Sequence, residues 1–418
     1  MVLLWTELKG LREQVGQNSQ NSSRPPSSDP PGTAKRQKKP SGRSRGGQPG
    51  HRGSHRRLKP LGELKAVVAV PPEHCSGGGH RFGAQPEEGE PQRHQVTDIP
   101  PVVAETVEYQ LQALVCPECG VRTRAELPAG VPRGAFGARV EAMVATLSGR
   151  YRLSKRESRQ FLEEFFGVEV ALGTVPALER RMSEALAEPV AEALALVQQA
   201  EVANLDETGW RQTDGERRAW LWTAVTQTVT VFAIRLSRGA DVVKELLGER
   251  FRGLLGSDRW SAYSWLAPKR RQVCWAHLVR DFAAFVERGG ASQQLGEQLL
   301  AAAEQLFDWW YRVRDGTLSR AAFARRMRPL QAQVGELLRA GSVCAQAKTA
   351  GTCSKLLKVE PALWTFVRVA GVEPTNNAAE RAIRPAVLWR KGSFGTQNAD
   401  GSRFVERIMT VVATCKQR

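Results

Sequence analysis

After Ala200 the apolar residues stop recurring at helical spacing and gather into short extended runs, a change of period that constrains the fold more than any other feature of the chain. Residues 202–205 are apolar and end at Asp206. Ala219–Val225 and residues 229–236 follow as antiparallel partners, residues 241–247 are helical in pattern, and residues 252–256 form a fourth strand that ends at Asp258. A short helix, a fifth strand over 272–275 and a long helical stretch complete the series. Three strands, a helix, a strand, a helix and a strand is the order of a ribonuclease H-like sheet. In such a sheet the ends of the first and fourth strands are neighbours, so Asp206 and Asp258 are expected side by side.

Two carboxylates pressed together raise each other's pKa and repel, which is tolerated where divalent cations sit between them. Hard oxygen ligands suit Mg²⁺ or Mn²⁺, and two such ions can serve an in-line displacement at phosphorus. A third acid is available in residues 375–381, Thr-Asn-Asn-Ala-Ala-Glu-Arg, where an Asn caps a new helix and Glu380 falls in its first turn. Taken singly, Asp206, Asp258 and Glu380 are ordinary acids; only their joint placement marks a site.

Charge points to the partner. The 418 residues carry a formal net charge of +17 with 41% hydrophobic content, a globular and strongly basic chain of several modules. Residues 1–60 hold thirteen Lys or Arg against Glu7, Glu13 and Asp29, and residues 30–60 hold ten basic residues and no acid among Pro, Gly and Ser. That composition forms no core and suits a polyanion such as DNA, or a solvated linker, or both. No apolar stretch approaches a membrane span, and seven cysteines without a disulfide-scaffold pattern imply reduced thiols or a metal site, so a cytoplasmic protein is expected.

The modules divide as follows. Residues 1–17 are a short helix with Leu4, Leu8, Leu11 and Val15 on one seam, and residues 18–60 are the basic linker. Residues 61–130 turn to short β-prone runs, such as 65–70 and 106–115, beside a Cys116-Pro117-Glu118-Cys119-Gly120 knuckle of the type that holds zinc. The matching pair near Cys75 is broken by Gly78. The module is therefore zinc-ribbon-like with Cys75, Cys116, Cys119 and His80 (or His74) as ligands, or a decayed version of one. Residues 131–198 are helical: Ser154 to Glu157 is a capping box opening a helix through Phe166, Gly167 stops it, and Thr174 is expected to cap the next. Arg180 and Arg181 on that second helix give a helix-turn-helix-like DNA reader, though any helical hairpin shares the pattern. Residues 199–418 hold the α/β core, with a helical insertion at about 290–370 inside the 122-residue interval between Asp258 and Glu380.

Four further motifs stand in order: Leu205-Asp206-Glu207-Thr208-Gly209; Ser257-Asp258-Arg259-Trp260-Ser261-Ala262-Tyr263; Cys274-Trp275-Ala276-His277-Leu278-Val279-Arg280-Asp281-Phe282; and Asn376-Asn377-Ala378-Ala379-Glu380-Arg381-Ala382-Ile383-Arg384-Pro385, followed by Arg390-Lys391. With Asn21-Ser22-Ser23 and Gly46-Gly47-Gln48-Pro49-Gly50-His51 ahead of them, the chain resembles the insertion sequence 66 family of bacterial transposases over nearly its whole length. The resemblance implies a multidomain α/β protein with a ribonuclease H-like catalytic core. It makes Asp206, Asp258 and Glu380 the metal-binding catalytic triad for Mg²⁺ or Mn²⁺, and Cys274 and His277 supporting groups rather than metal ligands. Arg381, Arg384, Arg390 and Lys391 become contacts to DNA phosphates, with a solvated helix face as the alternative. Of the tryptophans beside the motifs, Trp210, Trp260 and Trp389, most are expected in the core.

The implied partners are the element's terminal inverted repeats and target DNA, a second copy of the chain on DNA, and accessory proteins of the same element. A catalytically inactive DNA-binding remnant and a ribonuclease H-like nuclease are the alternatives. Relatives continue past Arg418, which keeps an impaired copy among the readings.

Overall fold

A computed structural model of the chain describes Gly50, Gly53 and residues 56–83, 89–214 and 218–418. The expected leucine-seam helix at 1–17 and nearly all of the basic linker lie outside the described residues. The chain divides into two compact units, Lys35–Val103 and the combination of Met1–Ala34 with Ala104–Arg418.

In the smaller unit the order comes from loops. Lys59 N–H donates to Gln95 Oε1 (2.9 Å) while Gln95 Nε2 donates back to the Lys59 carbonyl (3.0 Å). Cys75 N–H donates to the His80 carbonyl (2.8 Å), closing a tight turn over the three glycines between them. The strand expected at 65–70 does not form: Val67, Val68 and Val70 are exposed, and no described residue ladders with them. β-Branched residues favour a strand only where a neighbour covers one face, and none does here.

In the larger unit, β1 (Ala113–Val115) and β2 (Arg122–Arg124) pair antiparallel around the Cys116-to-Gly120 turn. Only the last three residues of the expected 106–115 strand are paired. Four helices follow: α1 (Ala138–Gly149), α2 (Lys155–Phe166), α3 (Thr174–Ala185) and α4 (Ala187–Gln198). The capping box is complete, with Glu157 N–H donating to Ser154 Oγ (3.2 Å) and Ser154 N–H to Glu157 Oε2 (2.7 Å). Gly167 ends α2 in the left-handed region at φ 64°, where its missing Cβ avoids the clash. Thr174, expected as a cap, is instead the first helical residue of α3. Gly173 holds the cap position and has no side chain to offer; the Thr174 amide turns back to the Ala171 carbonyl (2.8 Å). Val144, Leu162, Val170, Val175 and Leu178 form the buried seam between α1, α2 and α3.

The central sheet contains β3 (Val202–Trp210), β4 (Ala219–Val225), β5 (Thr230–Arg235), β6 (Leu254–Ser257) and β7 (Arg271–Val273) in the order β5-β4-β3-β6-β7. The pairs β5–β4 and β4–β3 are antiparallel, whereas β6 and β7 run parallel to β3. Helix α5 (Ala240–Leu247) carries the crossover to β6 and buries Val242, Val243, Leu246 and Leu247 on the sheet face that holds Leu205 and Trp222. The short helix expected between β6 and β7 is two single 3-10 turns, Ser261–Tyr263 and Pro268–Arg270.

After β7 come α6 (Trp275–Glu287) and the helical insertion: α7 (Gly290–Arg314), α8 (Arg320–Ser342), α9 (Ala347–Lys358) and the short α10 (Glu360–Leu363) and α11 (Thr365–Arg368). These share one apolar core built on Phe282, Leu299, Leu306, Phe323, Met327, Leu338 and Phe366. The chain then returns to the sheet as α12 (Asn377–Ser393) and α13 (Ala399–Gln417).

Helix α13 covers more than an apolar face. β5 is an edge strand, and its outward amides need acceptors. Thr230, Ile234 and Phe232 N–H donate to Thr414 Oγ1 (3.1 Å), Glu406 Oε2 (2.8 Å) and Thr410 Oγ1 (2.9 Å). Every fourth residue of a helix advances about 6 Å and every second residue of a strand about 6.6 Å, so the two repeats match over this length. Among the described residues, no helix is long and apolar enough to cross a membrane.

Candidate active site

The sheet register brings the two aspartates together. Asn204 of β3 is paired in parallel with Gly256 of β6, and Asp206 and Asp258 each lie two residues further on, so both chains emerge side by side beyond the last rung. Side chains alternate along β3, so Asp206 shares a face with Thr208 and Trp210, the face that α12 and α13 cover. Glu207 is turned to the opposite face.

Glu380 arrives from α12. Asn376 stands at the N-cap position, but its side chain makes no cap bond as the sequence suggested; its Nδ2 donates to the Leu205 carbonyl (2.6 Å) instead. The side chain therefore ties the start of α12 to β3 one residue before Asp206. From the other side, Trp275 N–H donates to the Pro374 carbonyl (2.9 Å), and Asn376 N–H donates to Cys274 Sγ (3.2 Å).

The Asp206 carboxyl is held well above the usual carboxylate range, first by burial and then by the negative charges of Glu207, Glu380 and Asp258. It accepts a hydrogen bond from Glu207 N–H (3.0 Å). Asp258 accepts from Trp260 N–H (2.8 Å). Four acids thus share one electrostatic neighbourhood; Glu207 is hydrogen-bonded there to Arg238 (2.8 Å) and Tyr263 Oη (2.6 Å), and Asp258 lies within electrostatic reach of Arg259 and Arg271. A concentration of oxygen donors around a buried carboxylate is a donor set suited to a hard divalent cation.

Cys274, His277 and Glu380 form a second cluster, with one ligand atom from each lying within 4.8 Å of the others. Cys274 Sγ is 3.9 Å from Glu380 Oε1 and donates to it; burial pushes this thiol up to about 11, so it keeps its proton. His277 Nδ1 is 3.5 Å from the same oxygen but without hydrogen-bond geometry, and burial followed by the Arg280 charge lowers its pKa. The imidazole is therefore neutral at pH 7. A cleft of about 520 Å³ opens beside these groups, lined among others by Asp258, Trp260, His277 and Arg280.

The model of the transposase IS66 family matches residues 133–403. The chain belongs to this family. Residues 3–57 also match a family of unknown function. Over 227 residues the chain is 30% identical to an uncharacterized protein, y4qI, of Sinorhizobium fredii, a match covering 48% of the chain and 41% of that relative's length.

The remaining expected positions of this family member are distributed as follows. Arg180 is exposed on α3, whereas Arg181 is paired with Glu141 of α1 (2.7 Å). Arg381, Arg384 and Lys391 are exposed along α12; Arg390 turns inward and donates to Thr208 Oγ1 (3.1 Å) and to the Gly209 carbonyl. Trp210 is buried and Trp389 packs beside it, while Trp260 is half-exposed with the Arg238 guanidinium 4.0 Å above its ring. Cys116 and Cys119 lie in the larger unit, Cys75 and His80 in the smaller. Within each unit the thiols of Cys116 and Cys75 are lowered chiefly by backbone N–H groups of their own turns, those of Cys119 and Gly78 first.

Sequence reasoning missed Glu207, Arg238 and Tyr263 as one buried group, and the bidentate pair of Arg259 with Asp281 (2.6 Å for each bond) behind Asp258. Glu207 had a signal, since alternation along a strand turns the residue after Asp206 to the other face. Arg259 and Asp281 had none.

Proposed function

We propose that the chain is the transposase of a bacterial insertion sequence, binding the element's terminal repeats and cleaving and joining DNA strands at Asp206, Asp258 and Glu380. The observation that carries the reading is the parallel register that sets Asp206 beside Asp258, with the first turn of α12 tied to the adjacent Leu205 carbonyl. In this reading the sheet is the ribonuclease H-like core of the family.

Asp206, Asp258 and Glu380 would hold Mg²⁺ or Mn²⁺, which supply Lewis-acid stabilisation to the attacking and leaving oxygens of phosphoryl transfer. The chain's own residues do the rest. The Asn376 hydrogen bond to the Leu205 carbonyl and the Cys274 contact fix where Glu380 stands, and His277, neutral, puts no positive charge beside it. Arg259, held by Asp281, keeps the backbone after Asp258 in place. Exposed Arg180, Arg381, Arg384 and Lys391 would meet phosphates, and α2 and α3 would act as the helix-turn-helix-like reader.

The test is cleavage and joining of labelled element ends by Asp206→Asn, Asp258→Asn and Glu380→Gln. Each substitution keeps shape and removes an anionic ligand, so activity with Mg²⁺ or Mn²⁺ should vanish while end binding persists. Three variants as active as an active parent would defeat the assignment. Cleavage without joining would mark a nuclease, and binding by a parent that never cleaves would mark a DNA-binding remnant.

A further inference from the structure

Directly after α12, Phe394 adopts φ 61° and ψ 8°, the left-handed region, with its side chain 72% exposed. A bulky residue is disfavoured there, and a helix ending this way ordinarily uses Gly or Asn. Packing inside the fold would offset that cost, but this ring is largely turned to solvent. The fold therefore gains little from a phenylalanine at this position.

The turn that carries the ring is firmly mounted. Thr396 N–H donates to the Arg211 carbonyl (2.9 Å), Thr213 N–H to the Thr396 carbonyl (3.1 Å), Asp214 N–H to the Gln397 carbonyl (2.9 Å) and Trp210 Nε1 to Thr396 Oγ1 (3.0 Å). At Gly395, φ is 111° and an added Cβ would stand 2.1 Å from the Arg211 carbonyl oxygen, so only glycine allows the approach. The aromatic ring is thus held out from a backbone that is bonded to the exit of β3.

Its surroundings are cationic. Arg211 and Lys391 are exposed on the bonded segments, and Arg390 lies within electrostatic reach of exposed Arg218; among the described residues, Asp214 and Asp400 are the acids of the same stretch. Arg211 is five residues along extended chain from Asp206, ~17 Å at strand rise. That distance is about five base-pair steps of duplex.

We propose that Phe394 stacks on an unpaired base of the DNA substrate, on the flank of the site about five base-pair steps from Asp206. The proposal rests on the reading above that DNA is processed at Asp206, Asp258 and Glu380. Every base presents a face to an aromatic ring, so the contact is independent of sequence, and the neighbouring cations match the phosphates on either side. A rigid mount lowers the ordering cost of such a contact, which a mobile loop would incur.

The experiment compares the full chain with Phe394→Asn and Phe394→Tyr, by fluorescence anisotropy, on a forked DNA with unpaired nucleotides and on the fully paired duplex of the same sequence. The Asn variant should bind the fork about ten-fold more weakly, with duplex binding unchanged and thermal stability equal or higher, because Asn tolerates the left-handed backbone. The Tyr variant should keep the fork preference. An Asn variant that binds both DNAs like the parent, or loses both equally, overturns the proposal, and binding of an apolar peptide at this ring without any fork effect would assign it to a protein partner instead. Where the parent cleaves DNA and Phe394→Asn keeps the fork preference, the stacking proposal alone fails. Where the parent neither binds nor cleaves DNA, the underlying reading fails with it.

Discussion

Replacing Asp206 by Asn should raise the thermal stability of the metal-free protein and abolish its response to Mg²⁺ or Mn²⁺. Burial, followed by the charges of Glu207, Glu380 and Asp258, lifts the Asp206 carboxyl well above its ordinary range. In the unfolded chain the group ionises near pH ~3.9, whereas the fold keeps its proton to higher pH. Between those two values folding takes up a proton, so stability falls as pH rises, by about 1.4 kcal/mol per pH unit for full uptake. Below the window both states are protonated and the penalty is absent; above it the penalty persists in full. Asn has nearly the same shape and no charge, so a single pH unit of separation translates to a gain of ~2–4 °C in Tm at pH 8, and less at pH 5. A bound cation would relieve the same repulsion, stabilising the parent by about 2.7 kcal/mol at a hundred times its Kd and the variant hardly at all. Scanning fluorimetry in EDTA and in Mg²⁺ at both pH values makes the measurement. An Asn variant no more stable than the parent at pH 8, or one that gains as much from Mg²⁺, refutes the reasoning.

Cys274→Ala should lower single-turnover cleavage about ten-fold through a misplaced Glu380, with end affinity unchanged and partial recovery in Cys274→Ser; full activity of the Ala variant would reduce Cys274 to packing. Ser154→Ala removes half of the α2 capping box and should cost about 1 kcal/mol, read as a midpoint shift in urea. Deleting residues 1–60, which carry most of the excess positive charge, should weaken DNA binding and flatten its salt dependence by about 0.9 per lost phosphate contact. An unaltered log-log slope would move the electrostatic role to the later modules.

Much of the site was legible because local periodicity carries it. The five strands of the sheet, the crossover helix and the strand-end position of Asp258 follow from apolar runs and their breaks, whereas β3 does not end at Asp206 as expected but runs on to Trp210 because β4 pairs with it that far; the capping box and Gly167 announce α2 by chemistry that acts over four residues. The small β-prone runs misled for the complementary reason. Residues 65–70 have strand composition without a partner, and a strand is defined by its neighbour as much as by its residues.

What only the tertiary structure decided involves partners far apart in the chain. Asn376 has the composition of a helix cap, yet the Leu205 carbonyl, 171 residues away, takes its side chain. Arg390 has the look of a surface phosphate contact and is instead half-buried against Thr208 and Gly209. The edge of β5 is satisfied by a helix that begins more than 160 residues later, and Cys274 finds Glu380 across 106. Short-range order is written in the sequence because its interactions span a turn or a strand repeat. Which polar group meets which across the sheet is set by register and packing, and those exist only once the chain has closed.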